Sequence, residues 1–253
     1  MNSSDSVNIE KTLSSAIDKA LHQANNLLHM IKDYKKIKIK QILDLEYNHY
    51  SIDANGVVSI SSRWPIVRLH EFISDDLGIV QGAEDILIYE RYIQHEGFPL
   101  TESRFLTSLR YNPENCWHVR EDIQNEFPHY VVHGSDILMV QAGSFAGASA
   151  ILPIFHEDVI LGNGCIRIRV KAEICEVFYL LNVLHYYYSQ GIIQISHKGA
   201  RDKITIESLL NIQLPNPPME EQKRIADTLL KLSGAMVAQT TYSDEMLNLK
   251  GMI

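Results

Sequence analysis

From residue 7 to residue 34 the apolar side chains Leu13, Ile17, Ala20, Ala24, Leu27, Ile31 and Tyr34 return at intervals of four, three, four, three, four and three. That alternation keeps one stripe on the same side of an α-helix and is the pattern by which helices pair. No Gly or Pro interrupts the segment, and Ser4 or Asp5 can cap its start. A helix of about 28 residues is about 42 Å long at 1.5 Å per residue. This exceeds what a compact domain needs for its own closure, so the rod calls for a partner helix. Ala20 and Ala24 permit close approach and offer little bulk to a sheet. A second heptad stretch, Ile225, Leu229, Leu232 and Met236, follows Leu214-Pro215-Asn216-Pro217-Pro218. Pro217 or Pro218 suits the first turn of a helix, and Glu220 and Glu221 favour its positive end. The pattern weakens around Gly234 and resumes near Met246 and Leu249. Together these residues are the expected helix–helix interface.

Between the rods the periodicity changes. A polar connector over residues 37–61 holds a turn at Asp53-Ala54-Asn55-Gly56 and a β-like run over 57–60. Short β-like runs follow at 86–89, 130–133, 137–140, 151–155, 166–170 and 192–195, separated by turn residues such as Gly134-Ser135 and Gly162-Asn163-Gly164. A helix over 174–190, ended by Gly191, interrupts them. The expected class is α+β: a heptad helix over 1–36, the connector, a mixed α/β domain over 62–216 and a closing helix over 217–253. With 253 residues, 45% hydrophobic and 21% charged, the chain is long and apolar enough for a real core, and disorder is excluded.

Composition narrows function mainly by exclusion. No run of about 18 uncharged apolar residues is present, and the polar, acidic start does not resemble a secretory signal, so neither membrane nor export is expected. Cys116, Cys165 and Cys175 are odd in number and lack a CxxC spacing, which fits a reducing cytoplasm and neither a disulfide framework nor a zinc cluster. The net charge of −8 argues against a non-specific nucleic-acid coat but allows specific DNA binding through a locally basic face. Asn216-Pro217-Pro218-Met219 resembles the Asn-Pro-Pro-aromatic tetrad of amino-group DNA methyltransferases, whose aromatic ring stacks on a flipped base. Met219 supplies no ring, and no glycine-rich AdoMet loop follows a strand, so the reading here is a helix start. Gly143-Ser144-Phe145-Ala146-Gly147 lacks the Lys-Ser/Thr of a phosphate loop and reads as a turn. The eleven histidines show no paired ligand spacing. No catalytic residue, cofactor or metal is expected.

With both rods and the domain between them placed, the chain resembles a specificity subunit of the type I restriction-modification systems, as one target recognition domain with its helical regions. The residues carrying this are Ser62-Arg63-Trp64-Pro65-Ile66-Val67-Arg68-Leu69, like the family's opening strand, and Gly134-Ser135-Asp136-Ile137-Leu138 with the Gly143 turn, like its central Gly-Asp-Ile-Leu signature with Ser135 inserted. Pro217-Pro218-Met219-Glu220-Glu221-Gln222-Lys223-Arg224-Ile225 is like its closing prolines and Glu-Gln-x-x-Ile helix start. Coverage runs over roughly residues 62–235. The resemblance implies a non-catalytic DNA reader that positions methyltransferase subunits, and in the complete complex the nuclease subunits, on a particular duplex sequence. The family usually carries two recognition domains in tandem, and this chain has room for one. A homodimer through the helices, reading an inverted repeat, is the expected remedy. Two alternatives stand. The connector also resembles the joint ahead of the recognition domain in fused methyltransferases, which would make the chain a detached C-terminal piece of an adenine-specific enzyme. The rods alone would also suit a helical scaffold without DNA specificity.

Base reading needs Arg or Lys on guanine and Asn or Gln on adenine, whereas phosphate contacts set the register. The candidates are Lys198, Arg201 and Lys203 in a Gly-containing basic loop, Gln141 and Ser144 around the Gly143 turn, and Arg104 and Arg110 in the polar stretch 90–130. Each has a bland counterpart as a solvated turn or surface residue. Arg167 and Arg169 alternate with Ile166 and Ile168 and so share one strand face, suiting a basic DNA surface or an ordinary exposed face equally.

Overall fold

The computed structural model describes residues 3–42, 51–52, 58–59, 64–74, 77–82, 93–94, 96–107, 109–113, 115–154, 156–193 and 203–252. It divides into two units, one formed by residues 1–42 with 227–253 and the other by 43–226. The first is a pair of helices. α1 (Ser3–Ile42) has 40 residues and so runs six residues past the expected end of the rod at 36. Ile39 and Lys35 are both buried, so the alternating Lys/Ile tail that reads as a polar connector continues the packed face for another turn and a half. Ser4 and Asp5 lie within this helix rather than before it.

The partner of α1 comes from the other end of the chain. Lys35 Nζ donates to Ser233 Oγ at 2.7 Å, and Lys250 pairs with Asp18. Stepping back from Lys35 to Asp18 matches, residue for residue, stepping on from Ser233 to Lys250, so the two helices run antiparallel in register. On α1 the pairing buries Ile17, Ala24, Lys35 and Ile39, and on the partner Leu229 and Ser243. Leu13, Leu27 and Tyr34 stay about half exposed. The stripe legible in the sequence is therefore two stripes: one turned to the partner helix, the other outward.

The second unit is α+β. In chain order its strands are β1 (Ser51–Ile52), β2 (Val58–Ser59), β3 (Ile66–Arg68), β4 (Ile79–Gln81), β5 (Ile93–Gln94), β6 (Phe98–Thr101), β7 (Leu106–Thr107), β8 (Arg110–Tyr111), β9 (His118–Val119), β10 (Val131–Val132), β11 (Ile137–Val140), β12 (Ser149–Ile151), β13 (Val159–Leu161), β14 (Cys165–Ile168) and β15 (Gln213–Pro215). One antiparallel sheet has the order β12-β11-β14-β4, and a second, mixed sheet the order β10-β13-β6-β9-β5, with β13 parallel to β6. Three two-stranded pairs complete the described strands: β1–β2 antiparallel across the expected connector, whose turn lies outside the described residues, β7–β8, and β3–β15. The last joins the two ends of the domain, Leu214 opposite Val67.

Ile137, Leu138, Met139 and Val140 are all buried, so β11 is covered on both faces. Leu138 and Val140 meet Val132, Leu152, Val159 and Leu161 between the two sheets. α2 (Val177–Ser189) packs on β12; Glu176 caps it by accepting from Tyr179 N–H at 2.6 Å, and Gly191 at φ +68° ends it as expected. α3 (Met219–Gly251) begins where the Pro218 carbonyl accepts from the Glu221 and Gln222 N–H groups. It runs unbroken through Gly234, where the expected weakening is not seen. Gly234 sits on an open face, where an added Cβ would meet nothing within 4 Å, so it costs helix propensity, about 1 kcal/mol, without opening the helix.

Two strand expectations shift. The strand placed at 151–155 occupies Ser149–Ile151 because the Leu152 N–H turns to the Asp136 carbonyl and Pro153 has none to give. Ile192 and Ile193 are buried but outside any strand, the Ile192 N–H closing back on Tyr187. The run at 86–89 lies outside the described residues. The stretch 90–130, read as irregular, supplies β5 to β9. These strands are two to four residues long and include Pro99, so no alternation had room to develop.

Candidate nucleic-acid interface

The end of β11 organises the candidate site. Gln141, the next residue, is 3% exposed; its N–H donates to Gly164 O at 2.7 Å, and its side-chain Nε2 donates to Gln81 Oε1 at 2.7 Å and to Ile204 O. The sequence offered Gln141 as a base reader. Its amide is instead consumed in clamping β4, β11 and the segment at 203–204 together, because a buried amide must satisfy its hydrogen bonds within the protein. Ala142 forms an isolated antiparallel bridge with Lys203, which brings residue 203 alongside the turn. Lys198 and Arg201 lie outside the described residues.

The turn itself is rigid. Gly143 at φ +88° and Gly147 at φ +98° take left-handed conformations that favour glycine. Ala146 N–H donates to Gly143 O, Gly147 N–H to Val140 O, and Ala148 N–H to Phe145 O. A Cβ on Gly147 would fall 2.6 Å from the Tyr188 ring. At the tip Ser144 and Phe145 are exposed.

Facing the turn is the short 3-10 segment Ser103–Phe105, which follows β6. Arg104 is exposed, donates through Nε and Nη2 to Glu102 Oε2 at 3.0 and 2.7 Å, and lies with its guanidinium carbon 4.7 Å from the Phe105 ring centre. It is thus pre-oriented, and half of its side chain still meets solvent. Ser103, Arg104, Leu106, Ala142, Ser144 and Phe145 line a cleft of about 660 Å³. Arg110, also exposed, stands on β8, paired with the β7 strand that Leu106 begins. Of the seven candidates, then, Arg104 and Ser144 share one cleft, Lys203 bridges its wall, and Arg110 sits on the adjoining hairpin. Sequence reasoning passed over Phe145, although an aromatic between small residues in Gly143-Ser144-Phe145-Ala146-Gly147 was a usable signal.

Arg167 and Arg169 do not make an open basic face: the first is buried, and the second, about a third exposed, is paired. Arg167 is 1% exposed and donates to the carbonyls of His129, Val131 and Leu77. Burial, with Arg169 nearby, lowers its guanidinium to about 10. Arg169 makes a two-pronged pair with buried Asp136 at 2.8 and 2.7 Å, and this bond raises its pKa. Neither forms an exposed basic face. A smaller cleft of about 360 Å³ at the opposite end of β11 is lined by His133, Asp136, Arg169, Glu176 and Lys223 among others; there Arg169 pairs with Asp136, and His133 lies 2.9 Å from Asp158.

Asn216 is occupied structurally. Its N–H donates to Pro65 O at 2.8 Å, and its side-chain oxygen accepts from Gln222 Nε2 at 3.3 Å. Burial pushes the Cys165 thiol up to about 12 and raises those of Cys175 and Cys116, so these thiols stay protonated and are poor nucleophiles. Among the described residues no group of three His, Cys, Asp or Glu is placed to hold a metal, and no helix is long and apolar enough to cross a membrane.

Residues 76–241, most of the chain and all of the candidate cleft, match the family described as type I restriction modification DNA specificity domain. The chain belongs to that family. Among the specificity proteins it resembles is the type I restriction enzyme MjaVIII specificity subunit of Methanocaldococcus jannaschii, 22% identical over 257 residues, which covers 97% of this chain and 57% of the relative. In fold it is similar to the HsdS subunit of Thermoanaerobacter tengcongensis, with TM-score 0.56, 20% identity, 95% of this chain and 55% of that one. It is also similar to the type I restriction-modification S subunit of M. genitalium, with TM-score 0.62, 14% identity, 99% of this chain and 60% of that one. The chain spans 38% to 57% of the length of the curated relatives it matches. Long N- and C-terminal helices that flank a sheet-containing domain in the chain are thus shared with these subunits in fold.

Proposed function

We propose that this specificity-domain protein is the non-catalytic DNA reader of a type I restriction-modification complex. Its second unit reads one half-site of duplex DNA, and its helices dock methyltransferase subunits and, in the complete complex, nuclease subunits. The observation that carries the reading is the meeting of Arg104 and Ser144 in one cleft, with Lys203 bridged to Ala142 beside the same turn, within a family named for DNA specificity. The cleft offers a fixed guanidinium to a base edge and an ammonium to the backbone, the division of labour that sequence readers use. Because the chain spans about half of its curated relatives, a second half-site needs a second reading unit. Two copies joined through the outward stripe of α1 would supply it and would read an inverted repeat.

The test is the salt dependence of duplex binding by the full chain. Lys203→Ala should flatten the log–log salt slope by about 0.9, the signature of one lost phosphate contact. Arg104→Ala should cost about 1–3 kcal/mol on the preferred sequence and little on others. Equal binding of all duplexes by the unaltered protein would contradict the reading.

A further inference from the structure

Phe145 is 69% exposed, more than any other aromatic side chain among the described residues. It contributes little to the core, yet the turn beneath it is built with unusual care: two left-handed glycines, three internal hydrogen bonds, buried Ala146 and Ala148, and Tyr188 closing on Gly147. A rigid support under a solvated ring is the arrangement of a presented contact rather than of a loose loop. With the ring, the cleft is lined by the polar Ser103, Ser144 and Arg104 and by the apolar Leu106, Val140 and Ala142. The occupant of such a cleft has polar edges for the hydroxyls and the guanidinium, and one apolar projection for the ring.

We propose that Phe145 reads thymine, its ring covering the C5-methyl group of one thymine in the major groove. This rests on the DNA-reading function above and specifies which residue supplies part of the sequence choice. In an intact duplex the base faces are stacked and only the edges reach the groove, and the apolar feature on those edges is the thymine methyl. Stacking the ring on a base would first require unstacking the duplex, and the neighbouring Arg104 and Ser144 are partners for edges rather than faces. Lys203 across Ala142 and Arg110 on β8 supply the positive charge that a polyanion requires.

The experiment takes the full chain at low salt and selects from a pool of duplexes with a randomised core. The enriched duplex is then synthesised with each thymine in turn replaced by deoxyuridine, which removes the methyl and nothing else. At one position the substitution should weaken wild-type binding about fivefold. Phe145→Ala should bind the thymine and deoxyuridine duplexes equally, while Phe145→Leu retains part of the difference. Because the ring is exposed, both variants should melt like the wild type. Enrichment with a thymine response that Phe145→Ala leaves intact overturns the assignment alone. A wild type indifferent to every deoxyuridine also overturns it, as does a Phe145→Ala variant that weakens all duplexes by one factor. If the wild type enriches no sequence at all, the DNA-reading function fails and this inference with it.

Discussion

At the scale of single residues, two buried cations show what a one-dimensional pattern conceals. Lys35 falls on the packed face of α1, where burial lowers its pKa from the ordinary 10.5 to about 8. The unfolded chain holds that proton up to about 10.5, while the folded chain releases it near 8. Stability therefore rises with pH across that window and is lowest, as far as this group is concerned, below it. Lys35→Met should raise the melting temperature at pH 7, and the gap to wild type should close as pH approaches 10.5. The difference is of order 1–2 kcal/mol after allowing for solvent near the amine, read by thermal unfolding at a series of pH values. Arg167 is the second case. Arg167→Met keeps most of the volume but leaves three carbonyls without their donor, at a cost of about 2–4 kcal/mol in urea unfolding. The folded fraction should bind duplex DNA as before, which separates an interior role from a DNA contact. Strand parity made it legible that Arg167 and Arg169 point the same way. What covers that side is set by β10, remote in sequence, and no local spacing encodes it. Arg104 and Ser144 come together for the same kind of reason, through the pairing of β6 with β13, the turn that leads from β13 into β14, and the pairing of β14 with β11.

Helices were the most legible elements because three-four spacing repeats over many turns, whereas strands of two to four residues give a period too little length to show. Even so, the spacing on α1 identified a contact surface without identifying its partner. Ile17 and Ala24 serve the antiparallel pairing with α3, while Leu27, Met30, Tyr34 and Ile37, again at three-four-three intervals, remain about half exposed or more. Ile225, grouped with the interface from sequence, falls with the sheet-containing unit, while the buried Leu229 falls with the helical one. These two stripes should respond differently. Ala24→Leu overfills the intramolecular seam and should destabilise by about 1–3 kcal/mol in urea unfolding. Leu27→Glu with Met30→Glu should leave unfolding nearly unchanged yet halve the mass seen in sedimentation equilibrium. An unchanged mass would remove the paired-copy arrangement.

For the whole molecule, the net charge of −8 and the proposed binding of a polyanion are compatible because the proposed contacts rest on a few cations, Arg104 in the cleft with Lys203 and Arg110 beside it, rather than on the overall charge. The proposed function assigns specificity to the sheet-containing unit and assembly to the helices, and its central claim is that this chain decides where an associated methyltransferase acts. The most direct measurement is a map of methylated positions on genomic DNA incubated with type I methyltransferase subunits, with and without this chain. The account predicts one inverted-repeat motif modified only when the chain is present, and lost with Arg104→Ala plus Lys203→Ala. The same sites modified in its absence, or by the double variant as fully as by the wild type, would contradict it.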